Sequence, residues 1–223
     1  MTSPLALTGR LAERQSRWLW LLKMFAVIPH LVTLVGLWLA FVVVTFVAGF
    51  AILVTGRYPR KLFTLTTGIV RWNWRVGFYS WAALGTDRYP PFALGHVEYP
   101  ATLDVAYPER LSRGLVLVKW LLALPHLIVV ALIASDIMLY PIAALNDLAG
   151  DMRIIAGGYS VLNLLVVIAG FFLLITGTLP VSLFDFLMGI NRWMHRVLIY
   201  VALMTDDYPP FRLDAGATEE VQS

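Results

Sequence analysis

Cysteine is absent from all 223 residues, which excludes disulfides and thiolate chemistry and leaves the redox compartment unreadable. Charge is scarce as well. Only 14% of the residues are charged, against about 25% in an ordinary soluble domain. No glycine-rich phosphate loop, no Gly-x-Ser-x-Gly elbow and no His-Glu-x-x-His occurs. No catalytic signature therefore emerges. What fills the chain instead is apolar: 59% of residues are hydrophobic, with a net charge of +3. That is the composition of a membrane protein.

The chain then says the same thing twice. Gly68-x-x-Arg71-Trp72-x-x-Arg75-Val76-x-x-Tyr79 recurs as Gly189-x-x-Arg192-Trp193-x-x-Arg196-Val197-x-x-Tyr200. Thr86-Asp87-Arg88-Tyr89-Pro90-Pro91-Phe92 recurs as Thr205-Asp206-Asp207-Tyr208-Pro209-Pro210-Phe211. Upstream, Arg14-x-Ser16-Arg17 and Lys23 through Pro29-His30 recur as Arg110-x-Ser112-Arg113 and Lys119 through Pro125-His126. Equivalent residues lie 96 apart at the start of the copies, 121 apart in the middle and 119 apart at the end. Self-similarity of this kind sets the architecture before any single residue is interpreted. The organisation it implies is a tail over 1–9, a first repeat over 10–97 and a linker over 98–109. A second repeat covers 110–213 with a polar insert at 135–158, and a tail covers 214–223. Both tails read as disordered.

The runs Gly36–Gly56 and Val161–Gly177 are apolar enough to span, and Gly114–Ala134 holds one Lys and one His. The stretch Trp18–Thr55 carries only Lys23 and His30 as ionisable groups. As a single helix it would be about 57 Å long, nearly twice the hydrocarbon core. It is too long for a signal peptide's apolar region. Either it folds back near Thr33–Gly36 or its first half lies along the surface. In the second copy the insert separates two apolar elements, which favours the hairpin. With each copy a hairpin, all 17 basic residues except Arg153 fall on one side, if Lys23 and Lys119 snorkel. The charge rule makes that side cytoplasmic. The expected fold is an all-α membrane protein of four transmembrane helices in two tandem hairpins. A pseudo-two-fold along the membrane normal relates them, and both termini are cytoplasmic in the inner membrane.

After each hairpin comes an apolar but Arg-containing segment. Arg71, Arg75 and Tyr79 share one helical face, as do Arg192, Arg196 and Tyr200. With Trp72 and Trp193 beside them, they read as helices at headgroup level, where Arg meets lipid phosphate and Trp meets the interface. The sharper version is an anionic lipid or partner-carboxylate site between the copies. Tyr-Pro-Pro-Phe is a chain reversal, because two prolines stop a helix. Thr86-Asp87 and Thr205-Asp206 close it through side-chain hydrogen bonds. Asp87, Tyr89, Pro90, Pro91 and Phe92, with Asp206, Tyr208, Pro209, Pro210 and Phe211, are the alternative docking surface.

Lys23 and His30, like Lys119 and His126, are seven residues apart and form an intramembrane polar ridge. The bland reading is that each His repairs the carbonyl freed by the preceding proline. The alternatives are a proton or ion path, or two axial ligands of a haem iron. With one such His per copy a zinc site is under-ligated, so no metal is expected. Asp136, Asp147 and Asp151 in the insert suit a solvated loop or a short amphipathic helix.

These motifs together resemble a family of bacterial integral membrane proteins that carries the label domain of unknown function 4389. The residues that carry the resemblance are Lys23–His30, Lys119–His126, Thr55–Phe63, Arg71–Val76, Arg192–Val197, Asp87–Phe92 and Asp206–Phe211. The resemblance implies a multi-span inner-membrane protein and no activity. The second copy departs from the pattern at Asp207, where Arg is expected, and at Thr178-Leu179, where an Arg-Tyr pair is expected. The leading expectation is a non-enzymatic accessory or scaffold subunit without cofactor, whose basic, aromatic face binds anionic lipid or a membrane-protein partner, with no nucleic acid involved. The alternatives are a small transporter or channel and a bis-His haem protein.

Overall fold

The computed structural model describes residues 3–131, 133 and 161–213. The chain is mostly helical, with six helices and two short strands among the described residues. In order they are β1 (Leu5–Gly9), α1 (Leu19–Ala26), α2 (Ile28–Thr55), α3 (Arg60–Tyr79), β2 (Ala101–Val105), α4 (Arg113–Leu122), α5 (Val161–Thr176) and α6 (Val181–Val201). Beyond α4 helical structure resumes over 124–131. Two of these runs, Ile28–Thr55 and Arg113–Ala131, are long and apolar enough to cross a membrane.

Local chemistry sets the boundaries. Pro29 has no N–H to give, and helix α1 gives way to α2 two residues earlier, at Val27. The bonding nevertheless continues through the break: Val27 N–H donates to Lys23 C=O at 3.1 Å and Leu31 N–H to Val27 C=O at 2.9 Å. Ala123, two residues before Pro125, repeats the pattern with bonds of 2.8 Å on each side. Helix α2 ends at Gly56 with φ of 70°, and Gly177 takes φ of 75° just after α5. Glycine enters that left-handed region without a Cβ clash. Pro59 and Pro180, in extended conformation, start α3 and α6.

Two expectations are corrected here. Helix α2 runs without a turn through Thr33–Gly36, so Trp18–Thr33 and Gly36–Thr55 do not fold back on each other. A stretch of β-branched and aromatic residues packed along a continuous inner face has no reason to break there, and its only proline falls at the helix start. The first copy is instead one bent run from Leu19 to Thr55, about 55 Å long. Secondly, the tail over 1–9 and the linker over 98–109 hold the two strands. They pair antiparallel with Leu7 opposite Leu103, Leu5 opposite Val105 and Gly9 opposite Ala101. A lone two-stranded ribbon is marginal in water. This one is stabilised by burial: Leu5, Leu7 and Leu103 are at most 1% exposed. The insert 135–158, with Asp136, Asp147, Asp151 and Arg153, and the tail 214–223 lie outside the described residues.

The elements stack in three layers, with α3 and α6 in the middle. On one side, Trp74 Nε1–H donates to Thr8 C=O at 3.1 Å, and Phe78 and Met188 crowd Gly9. Between the two helices, Phe78 meets Phe184 edge-on at 6.1 Å and Asn191 Nδ2–H donates to Ala82 C=O at 3.0 Å. On the other side, Trp38 of α2 donates to Asn73 of α3 at 3.3 Å. The outer layer is antiparallel. The later half of α2 lies beside α4, with Gly49 against Val116 and Phe46 against Trp120. The earlier half of the run lies beside α5, with Trp20 packed on Gly170 and Arg17 on Gly177.

Candidate functional site: paired clusters of buried cations and aromatic rings

Lys23 and Lys119 are both fully buried. Each projects from a first helix toward the reversal that ends its own copy. Lys23 Nζ donates to Thr86 C=O and pairs with Asp87 Oδ1, both at 2.8 Å. Lys119 Nζ donates to Thr205 C=O and pairs with Asp206 Oδ1, both at 2.6 Å. The second carboxylate oxygen is also used: Asp87 Oδ2 accepts from Ser16 N–H and Asp206 Oδ2 from Ser112 N–H, each at 2.6 Å. Each Asp thus ties the entry of its long helix to the exit of the copy. The lysines do not snorkel outward as expected. An ammonium with an ion pair, a carbonyl and a ring face within reach is better solvated inside. The ring is Tyr79 at 5.1 Å for Lys23 and Tyr200 at 5.3 Å for Lys119.

About two turns further along, His30 and His126 are also fully buried. Phe92 stacks on His30 at 3.8 Å and Phe211 on His126 at 3.7 Å. Tyr89 and Tyr208 each approach the same imidazole at 5.0 Å, and their hydroxyls donate to Ala26 and Leu122 C=O. The expected repair of a proline-freed carbonyl is not what His30 does; it accepts from Trp72 Nε1–H at 3.1 Å. Trp193 stands beside His126 at 5.8 Å. Pro90 and Pro209 are buried, while Pro91 and Pro210 lie further out. The reversals are held as the sequence suggested: Thr86 Oγ1 accepts from Arg88 N–H and Thr205 Oγ1 from Asp207 N–H. Each imidazole is walled by its own copy's rings, and these contacts do not bring the two together on one iron.

The arginines depart most from expectation. Arg71, Arg75 and Arg196 are at most 6% exposed, as are Trp72, Tyr79, Trp193 and Tyr200. They lie in the middle layer, where a lipid phosphate cannot reach. Their partners are backbone carbonyls. Arg75 donates to Ala93 and Gly95, Arg196 to Arg212. Arg71 Nε donates to Leu103 at 2.7 Å, with further bonds to Leu94 C=O and the Asp104 carboxylate. Arg192 Nε donates to Leu7 at 3.3 Å. The strand before each copy is therefore gripped by the other copy's helix. A planar fork of five donors suits several fixed acceptors, and this is why arginine stands here.

His195 precedes Arg196 on α6. It is buried against Trp74 at 5.4 Å, with its Nδ1 2.8 Å from Asn191 C=O. Burial lowers its pKa to about 4, so it is neutral at physiological pH. Exposed basic groups stand elsewhere: Arg10, Arg88 and Arg212, and at the two ends of the outer layer Arg14, Arg17, Arg57, Arg60, Lys61, Arg110 and Arg113. Sequence reasoning missed Ser16, Ser112 and Asp104. For the serines the repeat itself was the signal, since Ser, Lys and Asp recur together. Asp104 has no counterpart in the repeated motifs, so nothing marked it.

A helical chain with two helices long and apolar enough to cross a membrane, fastened by internal ion pairs, is the class that the fold and site define. A family profile described as Domain of unknown function (DUF4389) matches residues 17–93 and 155–212. The chain belongs to that family, and carries two copies of it. No curated protein and no solved structure matches.

Proposed function

We propose that this is a non-enzymatic protein embedded in the inner membrane, serving as an accessory or scaffold subunit. One observation carries the reading. Between their ends, the long helices turn their ionisable groups, Lys23, His30, Lys119 and His126, inward against the protein itself, so the outward face there carries no charge. Val32 and Phe50 of α2 are each 71% exposed, as is Ile175 of α5. Such a surface is unsuited to water and suited to lipid or to another apolar helix. The anionic-lipid role assigned to the buried arginines passes to the exposed basic residues at the ends of the outer layer. Arg60 there already stacks on Tyr107 at 4.4 Å. Basic residues on one side of the membrane favour cytoplasmic termini.

The matching contacts of the two copies support a pseudo-two-fold axis through the Leu7–Leu103 pair, along the membrane normal. Four spans in two hairpins would need the turn that α2 does not make. The transporter and haem readings lose ground, because Lys23, His30, Lys119 and His126 are used in holding the fold.

The test is purification of the tagged protein from its native membrane in mild detergent, with an absorption spectrum and mass spectrometry of what accompanies it. A partner protein at fixed ratio together with anionic phospholipid is the expected outcome. Recovery in the soluble fraction without detergent, or a Soret band, would refute the reading.

A further inference from the structure

The geometry points to an in-plane seat: the outer helices lie flat in one leaflet instead of crossing the bilayer. This rests on the membrane reading above and specifies its form. The bent run from Leu19 to Thr55 is about 55 Å long, while the hydrocarbon core is about 30 Å thick. Its outward face is apolar from end to end, through Trp18, Phe25, Val32, Val43, Phe50 and Val54. Crossing the membrane would leave nearly half of that face in water. Helices α4 and α5 lie antiparallel along the two halves of the same run, so the outer layer is a single flat raft. Beneath it lie α3 and α6, then the β1–β2 ribbon.

Charge points the same way. Gly56 and Arg113 meet at one end of the raft, where Arg57, Arg60, Lys61 and Arg110 are also found. Arg17 meets Gly177 at the other end, with Arg14 close by in sequence. Upright, these two basic ends would face opposite sides of the membrane, against the charge rule. Lying flat, both ends reach the same headgroup layer, where arginine extends to phosphate. A two-fold that relates antiparallel helices stands perpendicular to them, so a flat seat sets that axis along the membrane normal.

All-apolar helices usually span. Here the inner face is apolar because it packs on α3 and α6, and the outer face because it meets acyl chains. One leaflet supplies that contact.

The absence of native cysteine makes the test direct. Single-cysteine variants Val32→Cys, Val43→Cys, Phe50→Cys and Thr102→Cys are labelled with a nitroxide. They are placed in vesicles of mixed zwitterionic and anionic phospholipid. All four sites are exposed, so the core is untouched. Collision with oxygen and with a water-soluble nickel chelate reports depth. The expected result is one common depth for the three α2 sites, roughly 5–10 Å below the headgroup boundary, with Thr102→Cys fully open to nickel. A depth that changes by about 27 Å between Val32→Cys and Phe50→Cys, passing through the bilayer centre, would overturn the in-plane seat and leave the membrane reading standing. Nickel access at every site would overturn both.

Discussion

A buried lysine survives only with its counter-ion, and the two carboxylates here are not equivalent to the two ammonium groups. Lys23 is fully enclosed, whereas the Asp87 side chain is 27% exposed. Asp87→Ala strands a charge that cannot reach water. Lys23→Met leaves a carboxylate that still accepts from Ser16. We expect Asp87→Ala to destabilise by about 2–4 kcal/mol and Lys23→Met by less, read as thermal unfolding midpoints in detergent. The order should hold for Asp206→Ala against Lys119→Met. Arg75→Lys tests the fork, because an ammonium cannot bridge the Ala93 and Gly95 carbonyls. A loss of about 1–3 kcal/mol is expected on the same assay, and near-neutrality would refute the bridging role. His195 gives a pH signature. Its folded pKa of about 4 lies below the ordinary 6.5. The unfolded chain therefore takes up a proton first as pH falls. Stability is complete above about pH 7, declines between about 6.5 and 4 by up to ~3 kcal/mol, and levels off below. His195→Gln should remove about one proton from that slope.

At the scale of elements, the helices were legible and their neighbours were not. The apolar runs ending at Gly56 and Gly177 gave the last turns of α2 and α5. The Arg-Trp helices were recognised as a unit, yet placed at the membrane surface, because an arginine beside tryptophan looks the same whether its acceptor is a lipid phosphate or a carbonyl. The carbonyls that decide the matter belong to residues 93–95 and 103, and backbone acceptors leave no trace in a sequence. The strands were missed for a related reason. Five residues of ordinary composition in a tail and a linker acquire a reason to be extended only from α3 and α6 behind them. Two helical glycines show how closely the chain is laid on those helices. A Cβ at Gly68 would lie 3.1 Å from Leu94 C=O, and one at Gly189 would collide with Leu213 C=O. Alanine normally gains about 1 kcal/mol over glycine within a helix. Gly189→Ala is expected to lose stability instead. A gain would mean that the segment after the prolines is not packed there.

For the whole molecule, a flat seat places every polar segment on one side. A reporter fused within Ser135–Gly158 should give a cytoplasmic signal, where two transmembrane hairpins would put it outside. Neutralising Arg57, Lys61 and Arg113 with glutamine should weaken binding to anionic vesicles by about 1 kcal/mol each, or roughly fivefold. Vesicles without anionic lipid should show little change. Equal losses on both kinds of vesicle would mean that these residues support the fold instead of contacting headgroups.

The exchange of strands also sets a schedule for synthesis. Leu7 is made ahead of both copies, and the arginine that fastens it comes 185 residues later. At roughly 5–20 residues per second, the strand waits about ten to forty seconds on the ribosome before its clasp emerges. During that wait the apolar run behind it has already been delivered to the membrane. That strand is thus completed only when α6 is made, and a chain cut short before α6 would keep its pairing with β2 but lack the Arg192 clasp.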